Sequence, residues 1–287
     1  MTAATARHGG RTTLPLTADD GTTLALHHWR PHTAPTAAVF YLHGIQSHAG
    51  WLYETGPALA ARGIAVFALD RRGSGLSRGP RGHLPSAGQV LRDYVLALAR
   101  TRELAPGLAL TAVGQSFGGS VLAALVTEGQ VPDARLVFCA PALGQQRARL
   151  GSGETLAAVR DGGGPHTSPL ALADADYTEV TGYLDFMAND LLMVRQVTAG
   201  TRSVMVGLED IYLRGGPWDE STGAGIHFVR PEHDAIIDLR TSWQVLSGLT
   251  RRARAVDFAG AGHYIEFSAA RHRYWDWLGA VATGGTP

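Results

Sequence analysis

Lysine is missing altogether from this chain of 287 residues, whose 25 basic side chains are all arginine. That absence excludes a Schiff-base lysine, a pyridoxal phosphate anchor and the lysine of a P-loop. Cysteine is nearly as scarce. A single Cys139 rules out an intrachain disulfide and, set in the apolar run Leu136-Val-Phe-Cys-Ala140, reads as a buried structural thiol. A charge excess of either sign is lacking too: 25 acidic residues balance the 25 basic ones, leaving no electrostatic case for nucleic acid or an anionic membrane. No apolar run is long enough to span a bilayer, and the start MTAATARHGGRTT has no apolar signal core. The expectation is a soluble, cytoplasmic protein. The histidines show no H-E-x-x-H or comparable ligand spacing, so no metal and no cofactor is expected.

What is present is an alternation of strands and helices long enough for one large α/β domain with an insertion. Residues 1–10 read as disordered. Thr12–Thr17 and Thr22–Arg30 flank Asp19-Asp20-Gly21, a hairpin signal. Ala38–Leu42 and Ile64–Leu69 are continuous apolar runs of strand length. They are separated by a predicted helix over Trp51–Arg62 that Gly63 closes. Gln89–Glu103 repeats its apolar residues at helical spacing. Arg135–Cys139, Gly225–Val229 and Arg254–Phe258 are further strands, with helices over Leu239–Leu249 and Ser268–Val281. The expected fold is a mostly parallel sheet covered by helices on both faces, with the amino-terminal hairpin antiparallel at one edge. Between 143 and 202 the alternation stops. Glycine clusters and short apolar helical pieces, Leu184–Val197 among them, suggest a cap inserted between a first core segment, 1–142, and a second, 203–287.

The chain is organised around Leu108 to Val126, read as a buried strand, a tight turn and an apolar helix. The turn is Gly114-Gln115-Ser116-Phe117-Gly118. With 36 glycines in the chain, a bare G-x-S-x-G says little; its setting between strand and helix says more. A serine hydroxyl needs a rigid edge that projects it toward a base, and glycines on either side relieve the crowding of so tight a turn. The Phe117 N–H then sits at a helix N-terminus, where developing negative charge is favoured.

A base and a group to orient it are sought in loops just past strands, where reacting groups gather in an open α/β sheet. His263, in Gly260-Ala-Gly-His263, follows the strand ending at Phe258. Two aspartates compete for the acid. Asp234 follows the strand Gly225–Val229, one helix and one strand before His263. Asp210 follows Val204-Met-Val-Gly, a segment that reads as strand or as helix. Asp234 is favoured by its placement, and Asp238 reads as the N-cap of the next helix. Gly73-Ser-Gly75 lacks the third glycine of a dinucleotide loop and reads as a tight turn, with Asp70 and Arg71 bracing neighbouring loops.

The stretches HGIQSHAGWLY, DRRGSGLSRGPRGH, GQSFGG, RPEHDAIID and GAGHY, in that order, resemble the monoacylglycerol lipase and lysophospholipase branch of the α/β-hydrolases. The resemblance covers residues 38–140 and 200–281 and only loosely the cap. It implies an α/β-hydrolase fold and a serine hydrolase acting on a carboxylic ester through an acyl-enzyme on Ser116, with Asp234 and His263 completing the triad. The backbone N–H groups of Ile45 and Phe117 would form the oxyanion hole, and His43 would shape its loop. Gln-Ser-His after Ile45, and Arg-Pro-Glu-His before Asp234, depart from the branch's usual residues and leave the substrate open. A small-molecule ester or thioester is expected. A thioesterase, an acyltransferase or a non-hydrolytic binding protein on the same fold are the alternatives.

Overall fold

The computed structural model describes residues 10–285, so the expectation of disorder over 1–10 falls outside it, Gly10 excepted. Eight strands form one sheet. The hairpin β1 (Arg11–Thr17) and β2 (Thr23–Trp29) turns at Gly21, whose φ of 80° suits a residue without Cβ. β3 (Ala37–Leu42), β4 (Ile64–Asp70), β5 (Leu110–Gln115) and β6 (Arg135–Cys139) follow. A short pair, β7 (Thr167–Pro169) and β8 (Gln196–Thr198), lies outside the main sheet, which β9 (Gly225–Pro231) and β10 (Ala253–Phe258) complete. The order is β1-β2-β4-β3-β5-β6-β9-β10; pairs involving β2 are antiparallel and all the others parallel. This is the expected mostly parallel sheet with an antiparallel amino-terminal edge.

Strand periodicity divides the core. Every residue of β3 and β4 is buried, as central strands covered on both faces require. Along β3, Ala38, Phe40 and Leu42 face one cluster while Val39 and Tyr41 face the other. The first cluster is closed by α2 (Ala87–Leu104), α3 (Phe117–Thr127), α7 (Ala199–Arg214) and α8 (Leu239–Leu249). The second is closed by α1 (Thr55–Ala60) and α9 (Arg271–Thr283), with Leu59, Tyr274, Trp275 and Leu278 buried against the sheet. Cys139 is buried there as a free thiol.

Between β6 and α7 lie α4 (Gln145–Leu150), α5 (Glu154–Asp161), β7, α6 (Thr181–Ala188) and β8. Two segments differ from their expected form. Trp51–Arg62 is not one helix: a 3-10 turn over Ala49–Leu52 precedes α1, which starts late and carries Pro57 in its first turn, where proline's missing N–H is tolerated. Leu184–Val197 is not continuous helix either. α6 ends at Ala188 because Asp190 turns the chain, its Oδ1 accepting from Leu192 N–H at 2.9 Å and its Oδ2 from Trp51 Nε1 at 2.7 Å. The ambiguous Val204–Asp210 is helix, within α7. No helix among the described residues is long and apolar enough to cross a membrane.

Candidate active site

The tight turn at Ser116 is strained and enclosed. Ser116 has φ 51° and ψ −120°, a region that side chains rarely occupy, and it is one of two non-glycine residues with positive φ among those described. Its N–H donates to Cys139 C=O at 3.0 Å, and its C=O accepts from Gly119 and Ala142 N–H at 2.9 Å each. The flanking glycines are there for space. A Cβ on Gly114 would lie 2.7 Å from Gly118 C=O oxygen, and one on Gly118 would lie 2.0 Å from that of Leu42. Helix and strands meet too closely for anything larger.

The sheet's carboxyl ends bring Asp234 and His263 together. His263 Nδ1 lies 2.8 Å from Asp234 Oδ2, with both side chains buried. Asp234 Oδ1 accepts from Ile236 and Ile237 N–H at 2.9 and 2.8 Å, so the carboxylate is fixed before it meets the imidazole. The loops carrying the pair are stitched together: Glu232 N–H donates to Phe258 C=O, His233 N–H to Ala261 C=O, and Gly260 N–H to the Glu232 carboxylate at 2.6 Å. Asp210 lies elsewhere. It sits in α7, paired with Arg147 at 2.6 Å and Arg160 at 2.8 Å. Asp238 caps α8 as expected, accepting from Arg240 N–H at 3.0 Å.

Because Asp234 accepts from Nδ1–H, the neutral imidazole presents a bare Nε2. Gln115 takes it: its amide nitrogen donates to Nε2 at 3.3 Å. Reading the sequence missed this contact, since strand alternation does not tell which way the residue beside the turn reaches. Nor could it find Tyr177, from the long insertion. The Tyr177 ring packs edge-on to His263, with centroids 5.5 Å apart, while its hydroxyl donates to Gln46 Oε1 at 2.7 Å.

Ile45 and Phe117 sit where two expected N–H groups were sought: after β3, and at the first residue of α3. Neither N–H has a hydrogen-bond partner among the described residues. The Ile45 loop is braced from beneath. Arg71 donates to Ile45 C=O at 3.0 Å and Gly44 C=O at 3.2 Å. His43 accepts from Arg71 N–H at 3.1 Å through Nε2 and donates from Nδ1 to Gly44 C=O at 2.8 Å. Burial and the Arg71 charge hold His43 well below its usual pKa, as a neutral bracket. Asp70 works against burial: the His27 contact and donors such as Leu76 N–H hold its carboxyl down at about 2. It also accepts from Ala49 N–H at 2.7 Å.

Ser116, Ile45 and Phe117 open onto a cavity of about 480 Å³. Its far walls are Leu150 of α4, Val159 of α5, Leu170 and Leu172 after β7, and Met205 of α7. Among the described residues no group of three or more His, Cys, Asp or Glu side chains could hold a metal ion.

The sequence family described as Hydrolase_4, serine aminopeptidase S33, matches residues 33–267. The chain belongs to this family of α/β-hydrolases. The hydrolase is 33% identical to a monoacylglycerol lipase of Mycolicibacterium smegmatis over 94 residues, 33% of this chain and 34% of that one. It is 31% identical to human monoglyceride lipase over 113 residues, 39% and 37% of the two chains. The matched stretch thus spans about a third of these relatives' length. In three dimensions it is similar to a soluble variant of the Saccharomyces cerevisiae monoglyceride lipase in complex with a substrate analog. The TM-score is 0.78 at 15% identity, covering 96% of this chain and 97% of that one. The expected α/β-hydrolase fold and the resemblance to the monoacylglycerol lipase branch both hold.

Proposed function

We propose that this hydrolase cleaves a carboxylic ester with an apolar acyl group, through an acyl-enzyme on Ser116. The observation that carries this reading is the buried Asp234–His263 pair, contacted by Gln115 next to a strained Ser116 that opens into a cavity with both apolar and polar walls. Ser116 Oγ attacks the ester carbonyl while His263 Nε2 takes its proton, exchanging the Gln115 amide for the serine hydroxyl as partner. The Ile45 and Phe117 N–H groups receive the oxyanion. His263 then gives the proton to the leaving alkoxide, and the carbonyl re-forms on Ser116. Water, deprotonated by the same nitrogen, releases the carboxylic acid and restores the serine. Asp234 holds the Nδ1–H tautomer and stabilises the imidazolium as it forms.

Residues 143–202 act as a cap that shapes the acyl site. A monoacylglycerol-like ester fits the relatives' names and a cavity whose apolar residues Leu150, Val159, Leu170, Leu172 and Met205 stand beside polar ones such as Gln146 and Arg149. A thioester differs only in its leaving group, and acyl transfer only in its acceptor. A fluorophosphonate probe tests the chemistry: one equivalent should label the wild type and none Ser116→Ala. An ester and thioester panel of graded chain length then ranks the substrates. Labelling that survives Ser116→Ala, or an unlabelled wild type without esterase activity, would leave the mechanism without its nucleophile.

A further inference from the structure

The formal neutrality of the chain conceals a local imbalance at the end of the sheet opposite Ser116. At the amino ends of β6, β9 and β10 lies a groove of about 620 Å³ lined by Arg135, Arg251, Arg252, Arg254 and His227, with no Asp or Glu in its wall among the described residues. None of the four guanidiniums forms an ion pair among the described residues, whereas Arg62, Arg72, Arg147, Arg195 and Arg230 all do. Two of the four are set in place by backbone carbonyls. Arg252 donates to Thr222 C=O at 2.9 Å and Gly223 C=O at 3.3 Å; Arg135 donates to Ala282 C=O at 3.4 Å. His227 Nδ1 is buried without a partner among the described residues, an orphan polar atom in the same wall. Gly284 and Gly285 form part of the rim and contribute no side chain to fill the groove.

Uncompensated guanidiniums held in a concavity repel one another, and this arrangement is relieved by an anion. Planar guanidinium forks match phosphate oxygens bidentately. We propose that this groove binds a small soluble polyanion carrying adjacent phosphate groups, at a site separate from the ester chemistry. Strands of five to seven residues put the two ends of the sheet roughly 17–23 Å apart. A membrane is the less suitable occupant for two reasons: the basic residues line a concavity rather than a flat face, and a bilayer held there would meet the end of the sheet away from Ser116.

Inorganic pyrophosphate is the probe, titrated calorimetrically into the full chain, with anionic phosphatidylglycerol vesicles as a second arm. One pyrophosphate should bind per chain, more weakly as salt rises from about 50 to about 300 mM. The exposed pair Arg251→Gln/Arg254→Gln should weaken binding by about tenfold or more. Ester turnover and the ligand-free Tm of that variant should stay at wild-type values. Absence of pyrophosphate binding, or binding equally strong in the variant, would overturn the proposal. So would variant-sensitive vesicle binding without pyrophosphate binding, which would make the groove a lipid-docking face.

Discussion

Glu266 lies three residues after His263, buried where carboxylates are rarely found. It is 1% exposed, and Tyr41 Oη–H donates to its Oε1. Its Oε2 and the hydroxyls of Tyr264 and Tyr274 have no partner among the described residues. Burial outweighs the Tyr41 hydrogen bond and pushes the carboxyl up from 4.5 to about 7. The folded protein therefore holds a proton that the unfolded chain has released. Stability from this group is fully present below about pH 4.5 and is lost as the pH rises through about 7. That rise in the carboxyl's pKa corresponds to about 3 kcal/mol. Glu266→Gln keeps a neutral group of the same shape and removes the titration. Urea unfolding of both proteins at pH 5, 6, 7 and 8 gives the comparison. The variant's stability relative to wild type should climb with pH by up to about 3 kcal/mol and level off above pH 7. A difference that stays flat across that range would mean that Glu266 is already charged in the folded protein, or solvated by buried water, and the reasoning would fail.

Three other outcomes follow from the site. Asp234→Asn should leave Tm nearly unchanged and lower kcat by about 10³- to 10⁴-fold, through the wrong imidazole tautomer; Asp210→Asn, which loosens the Arg147 and Arg160 pairs, should lower Tm and spare kcat. Gln115→Glu would set a carboxylate against Nε2 and stabilise the imidazolium, so the acid limb of kcat/KM should move to higher pH by about one unit or more. An unmoved limb in that variant would show that Gln115 does not share Nε2. Val159→Trp, in the cavity wall, should shorten the preferred acyl chain, read as KM across a graded ester series, whereas Leu191→Ala, at a side chain 96% exposed, should change nothing.

Much of this was legible in the sequence because its signals are local. Apolar runs such as Ala38–Leu42 have strand length, and Gly114-x-Ser-x-Gly118 constrains a turn within five residues. The placing of Asp234 rather than Asp210 beside His263 follows from counting elements between loops, since parallel strands put alternate loops at one end of the sheet. What was not legible is non-local. The Gln115 amide reaches His263 only because β5 and the loop after β10 are packed together. The insertion's form depends on Asp190, whose carboxylate finds Trp51 and His48 across the fold and pulls the chain out of helix. The cavity beside Ser116 is lined by α4, α5, α7 and the chain after β7, while α6 packs against Trp51 and Phe267.

That division has a consequence for the proposed cap. Its 177–194 half is bolted to the body of the protein. Tyr177 bonds Gln46, Val194 N–H donates to Gln46 C=O at 2.9 Å, and Tyr183 bonds Glu54. Trp51, Tyr183, Phe186 and Phe267 stack and pack edge-on through the same seam. The other half buries less apolar surface, α5 burying only Leu156, but polar contacts tie it to α7: Arg160 pairs with Asp210 at 2.8 Å, and Gln146 and Arg147 N–H donate to the Glu209 carboxylate at 2.9 Å each. Moving α5 therefore exposes little apolar surface but breaks the Arg160–Asp210 pair, whereas moving the 177–194 half would strip Tyr177 from His263 and break up the aromatic seam. In the proposed cap, then, the 177–194 half is the part that holds Tyr177 against the imidazole, and α5 is the part whose displacement exposes the least apolar surface.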